Sequence, residues 1–164
     1  MTKDEYNEVV STYSKHIHRY LYKSLKDHDT VKDILQDTFA KLWQFREQVE
    51  VPKAKSWLFI TAHRFMLKDI QRNNTLVNLE SMSEEKEVIS PDSLSRFDVK
   101  EIIDRCVDSL PPIQKSILLL RDLEGYNYKE IADMLDITEE KVRVYLSRSR
   151  QKIKNMIKSV EAII

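Results

Sequence analysis

YKEIADMLDITEEKVRVYLSRSRQKIKNMIK, residues 128–158, decides how this chain is built. From Lys141 to Lys158 there are seven basic residues and no acid. Val142, Leu146, Ile153, Met156 and Ile157 recur at roughly helical spacing. Upstream, Ile131, Ala132, Leu135 and Ile137 give a shorter helix the apolar positions to share a core with the longer one across a tight turn. Thr138 can cap the second helix, with Glu139 and Glu140 placed against its N-terminal dipole. Two helices in this arrangement read as a helix-turn-helix, whose second helix suits a DNA major groove. A plain helical hairpin is the competing reading. It leaves the charge unexplained, because solvated surface helices usually mix signs to gain i,i+4 pairs.

Working outward, Leu110-Pro111-Pro112 ends one helix and opens the next, since proline is tolerated in a first turn. Residues 113–123 are strongly apolar. Glu124-Gly125 is a turn in which Gly125 supplies a left-handed conformation. Asn127 and Glu130 have the spacing of a capping box for a helix over 128–135. Val99, Ile102, Ile103, Cys106 and Val107 form the stripe of the helix before. Residues 75–97 hold five acids against two bases, are rich in Ser, Glu and Asn, and contain Pro91. They read as an acidic flexible linker.

The first part of the chain is also helical in pattern. Residues 4–25 place Tyr6, Val9, Val10, Tyr13, Ile17, Tyr20 and Leu21 on one side. DHDT at 27–30 is a turn with Asp29 or Thr30 as N-cap. Residues 31–45 carry the stripe Val31, Ile34, Leu35, Phe39, Leu42 and Trp43. A loop follows over 46–53 with Pro52 near its end, then a helix from about Lys53 to Asn73.

Composition agrees. The 164 residues include one glycine, too few for a sheet of tight hairpins. The expected fold is all-α: two small helical domains, 1–74 and 98–164, joined by the linker at 75–97. Cys106 is the single cysteine, so no internal disulfide can form and a reducing cytoplasm is expected. No apolar run reaches membrane-spanning length and no signal-peptide pattern is visible. Net charge is zero, but residues 51–74 carry five bases against Asp69 alone, so two basic blocks flank the acidic stretch. That suits two contacts on one long anionic partner.

The block at 53–72 interleaves Lys53, Lys55, Arg64, Lys68 and Arg72 with Trp57, Phe59 and Phe65. Aromatics can stack on unpaired bases while cations follow the backbone. Phe65 reads as core, and Trp57 and Phe59 stay open between core and stacking platform. His16 and His18 stand at i,i+2 and do not converge on a helix. Four histidines and one cysteine make no zinc set, and no phosphate loop, dinucleotide fingerprint or nucleophile elbow is present. No enzyme, cofactor, metal or small-molecule substrate is expected.

With these residues in hand, the chain resembles a bacterial RNA polymerase sigma factor of the extracytoplasmic-function (ECF) type, over most of residues 5–158. DILQDTFAKLWQFR (33–46) resembles the segment that docks on the largest polymerase subunit. KAKSWLFITAHRFMLKDIQR (53–72) resembles the helix that reads and melts the −10 element. LPPIQKSILLLRDLEGYNYKEIADMLDITEEKVRVYLSRSRQKIK (110–154) resembles the domain that binds the −35 element. The resemblance implies an alternative sigma factor that brings core RNA polymerase to chosen promoters. Asp33, Gln36, Asp37, Lys41 and Gln44 would meet polymerase. Lys53, Lys55, Trp57, Phe59, His63 and Arg64 would act at −10, and Lys141, Arg143, Val144, Tyr145, Arg148 and Arg150 at −35. It also implies a membrane-associated anti-sigma factor as regulator. The chain departs from the family's usual residues at Arg64, Lys68, Asp136, Val144 and Tyr145, which bears on promoter sequence. The alternative is an autonomous helix-turn-helix regulator binding a palindrome as a dimer. Such a protein has no reason to carry the 31–46 segment. A helical adaptor without nucleic acid has no use for the acid-free 141–158 block.

Overall fold

The computed structural model describes residues 1–80 and 99–162. The regular structure of these residues is all helical, without strands, and the chain divides into two compact units. The expected linker lies outside the described residues from 81 onward.

Three helices make the first unit: α1 (Lys3–Leu25), α2 (His28–Gln44) and α3 (Val51–Glu80), each packed on the other two. Helix α1 starts at a capping box. The Thr2 hydroxyl accepts from the Glu5 amide at 3.2 Å, and the Glu5 carboxylate accepts from the Thr2 amide at 2.8 Å. It ends at Lys26, whose φ of 58° turns the chain so sharply that only Lys26 and Asp27 separate it from α2. Asp27, not Asp29 or Thr30, caps α2. Its carboxylate accepts from the Asp29 amide at 3.2 Å and the Thr30 hydroxyl at 2.7 Å. The hydroxyl bond, then the amide bond, holds its pKa below the ordinary value. The helix therefore begins ahead of the expected residue 31. Helix α3 likewise begins early, with Pro52 in its first turn, and runs past Asn73.

The core of this unit is Ile17, Tyr20 and Leu21 from α1, Val31, Ile34 and Leu42 from α2, and Leu58, Phe59, Ala62 and Met66 from α3. Truncating a fully buried leucine such as Leu42 costs about 2–5 kcal/mol in a core of this kind. On α2 the inward row steps 31, 34, 38, 42. Thr38 is thus wholly buried, and its hydroxyl donates to the Ile34 carbonyl at 2.7 Å. Trp43, expected in the stripe, follows Leu42 by one residue and so points about 100° away. It is 37% exposed, with its ring T-shaped to that of Tyr6 and the Arg46 guanidinium 4.0 Å from its centroid.

The second unit holds α4 (Val99–Asp108), α5 (Pro112–Leu118) continuing into a π-helical turn (Leu119–Leu123), α6 (Tyr128–Leu135) and α7 (Glu139–Glu161). Helices α4 and α5 both pack on α7. Val142, Leu146 and Ser149 form the buried row of α7 against Ile117, Leu120 and Ile131 of the same core. Ser149 stands where an apolar residue would continue the stripe. Its hydroxyl donates to the Tyr145 carbonyl at 2.7 Å and lies 3.4 Å from the Gln114 carbonyl on α5. In the π turn the Glu124 amide donates to Leu119, five residues back, at 3.0 Å. Gly125 follows at φ +77°, the left-handed turn its position requires. Asn127 caps α6 through the Glu130 amide at 2.8 Å. Asp136, at φ 54°, ends α6, a conformation Asp tolerates better than most residues. The Thr138 hydroxyl accepts from the Lys141 amide at 3.2 Å and starts α7. The expected helix-turn-helix, with its turn at 136–138, is therefore in place.

Candidate nucleic-acid and polymerase interfaces

The outer side of α7 presents Lys141, Arg143, Val144, Arg148 and Arg150 to solvent, while Tyr145 is half-buried. Two of the arginines are held. The Arg143 guanidinium lies 5.5 Å from the ring centroid of Tyr128, the first residue of α6. Arg121, from the π turn, lies 5.1 Å from the same ring and donates to the Tyr126 carbonyl at 3.0 Å. Arg150 forks onto Asp122, with Nη2 at 2.7 Å from one carboxylate oxygen and Nε at 3.4 Å from the other. The hydrogen bond to Asp122 comes first among the influences that raise the Arg150 pKa. Tyr128, Arg143, Leu146, Ser147, Arg150, Gln151 and Lys154 line a cleft of about 300 Å³ between α6 and α7.

In the first unit, Asp33, Gln36, Asp37, Lys41 and Gln44 are all exposed on α2. The Lys41 ammonium lies 5.4 Å from the Phe65 ring on α3, and Phe65 is half-buried, not core.

The six residues expected at −10 separate. Lys53 and Arg64 are exposed; Lys55 and Trp57 are half-buried near the start of α3. Phe59 and His63 are corrections. They lie on the inward row of α3, 1% and 6% exposed, and offer no face to a base. The Phe59 ring packs on Tyr20, and Tyr20 Oη shares a 2.8 Å hydrogen bond with His63 Nδ1. Burial, and secondarily the charge of Arg64, pushes the His63 pKa from 6.5 to about 4. The aromatic that accompanies Trp57 is Phe45, 41% exposed, with ring centroids 6.3 Å apart. Sequence reasoning missed Phe45, although it stands only two residues beyond Trp43, the last apolar position of the α2 pattern. It also missed Tyr128, Arg121 and Asp122, which lie outside the 141–158 block and join α7 only in three dimensions.

Among the described residues no helix is long and apolar enough to cross a membrane. One unit thus carries a cationic helix-turn-helix of a kind that suits duplex DNA, and the other a polar helix face beside exposed aromatics. Residues 9–75 match the family model for sigma-70 region 2, and residues 100–153 that for sigma-70 region 4. The ECF RNA polymerase sigma factor SigM of Bacillus subtilis (strain 168) is 26% identical over 90% of this chain and 92% of its own length. RNA polymerase sigma factor YlaC of the same organism is 28% identical, over 97% and 96%. Among solved structures, the sigma factor RpoE bound to the anti-sigma factor NepR, from Bartonella quintana, superposes with a TM-score of 0.77. It is 19% identical, over 96% of this chain and 98% of that one. CnrH bound to the cytosolic domain of CnrY gives 0.69 at 18% identity, over 94% and 88%. The chain belongs to the sigma-70 family, as an ECF sigma factor: an alternative sigma factor that binds core RNA polymerase and directs it to specific promoters.

Proposed function

We propose that the chain divides this work among three surfaces, in the cytoplasm and without chemistry of its own. The exposed face of α2, Asp33/Gln36/Asp37/Lys41/Gln44, docks on core polymerase. Lys53, Lys55, Trp57 and Arg64, joined by Phe45, engage the −10 element, where aromatics suit an unstacked base and cations its backbone. Lys141, Arg143, Val144, Tyr145, Arg148 and Arg150 meet the −35 duplex in the major groove. The observation that carries the reading is the acid-free stretch Lys141–Lys158 of α7, in a capped helix-turn-helix. An anti-sigma factor regulates the protein by covering these surfaces. The RpoE structure holds the anti-sigma factor NepR, and the CnrH structure holds the cytosolic domain of CnrY. A regulator with a cytosolic domain fits the membrane-associated partner expected from the sequence.

Run-off transcription with core polymerase on genomic fragments tests this. Discrete transcripts should form only when this protein is added. Binding to a palindrome as a dimer, with no polymerase-dependent transcripts, would instead favour the autonomous regulator.

A further inference from the structure

Tyr128 belongs to none of the three surfaces, yet two guanidinium groups share its ring. Arg143 lies 5.5 Å and Arg121 5.1 Å from its centroid. A third cation, Arg150, faces the same cleft and is tied to Asp122. Besides Tyr128 and the two arginines, the cleft is lined by neutral Leu146, Ser147 and Gln151 and by Lys154. Cations are drawn to the face of an aromatic ring. A ring on a neighbouring helix therefore fixes a long side chain that would otherwise sample many rotamers. Arginine loses much of that freedom when it docks on a base edge, and preorganisation removes part of the cost.

We infer that Tyr128 is a positioning residue for −35 recognition: its ring holds Arg143 at the cleft wall in readiness for a base edge. The inference rests on the −35 role proposed for α7. Arg121 is also held by the Tyr126 carbonyl, so removing the ring acts chiefly on Arg143. The Tyr128 hydroxyl interacts with Arg150 instead, so it is the ring that acts on Arg143.

The test uses the full chain and a duplex that it selects from a randomised pool. On that fluorescently labelled duplex, Tyr128→Ala should weaken binding about fivefold, the scale of an exposed cation–π contact. Tyr128→Phe, which keeps the ring and loses only the hydroxyl contact with Arg150, should keep the wild-type base preference. Tyr128→Leu, which keeps the apolar bulk, should behave like Tyr128→Ala, which separates loss of the ring from loss of folding. The double variant Tyr128→Ala/Arg143→Ala should be no weaker than Arg143→Ala alone, and both single variants should relax preference at the same base position. Additive losses, a relaxed base preference in Tyr128→Phe, or relaxation at different positions would overturn the inference and leave the −35 reading intact. If the wild type enriches no sequence, or Arg143→Ala binds unchanged, the −35 reading fails and the inference with it.

Discussion

His63 sets a sharp expectation for the first unit. It is 6% exposed, shares a hydrogen bond with Tyr20, and has its pKa lowered from 6.5 to about 4 by burial first and Arg64 second. Between those values the unfolded chain binds a proton that the folded unit refuses, so stability falls as pH falls through the window and levels off below it. The full difference corresponds to roughly 3 kcal/mol at about 1.4 kcal/mol per unit. About 2 kcal/mol of it should be lost between pH 7.5 and pH 5. With a urea m-value near 1 kcal/mol/M for a small unit, the midpoint should drop by roughly 2 M. Both tryptophans, Trp43 and Trp57, lie in this unit, so fluorescence reports it alone. The measurement is a set of urea melts across that pH range, on the wild type and on His63→Gln, which keeps a polar partner for Tyr20 and does not titrate. The variant should lose this part of the pH dependence. An equal drop in both proteins would refute the reasoning.

Three further outcomes are expected. Replacing Gln36 and Asp37 with Arg should weaken capture of core polymerase in a pull-down titration while circular dichroism stays unchanged. Arg143→Ala should narrow the gap between selected and scrambled duplex by about 1–3 kcal/mol, whereas Arg150→Ala should lower both affinities in parallel, as read by anisotropy across a salt series. Phe45→Ala with Trp57→Ala should reduce promoter opening, read as permanganate reactivity of unpaired thymines, with polymerase binding retained.

Periodicity, caps and punctuation located most of the helices. Asn127, Thr138 and Gly125 act as their chemistry predicts, because each works on its own backbone neighbours. What escaped depends on contacts between elements. Trp43 reads as part of the stripe because it is apolar, although the inward row steps from Thr38 to Leu42 and passes it by. Phe59 and His63 look like a basic–aromatic surface in one dimension, but they fall on the side of α3 that meets Tyr20. The recognition helix was legible as a charge pattern. Its supports were not, because Asp122 and Tyr128 lie well before it in sequence and Arg121 and Asp122 sit in a π turn that no local signal announces.

The fork between Arg150 and Asp122 bears on how the protein behaves in salt. Affinity for a duplex normally depends on releasing condensed counterions, one for nearly every phosphate a base neutralises. Arg150 carries its own counterion, covalently part of the chain. When it turns to a phosphate it exchanges one carboxylate for another anion, and Asp122 is left close to the strand. The seven bases between Lys141 and Lys158 should therefore yield a shallower salt dependence than their number implies. Non-specific adhesion to the rest of the genome is moderated by the same carboxylate, leaving discrimination to the side chains that reach base edges.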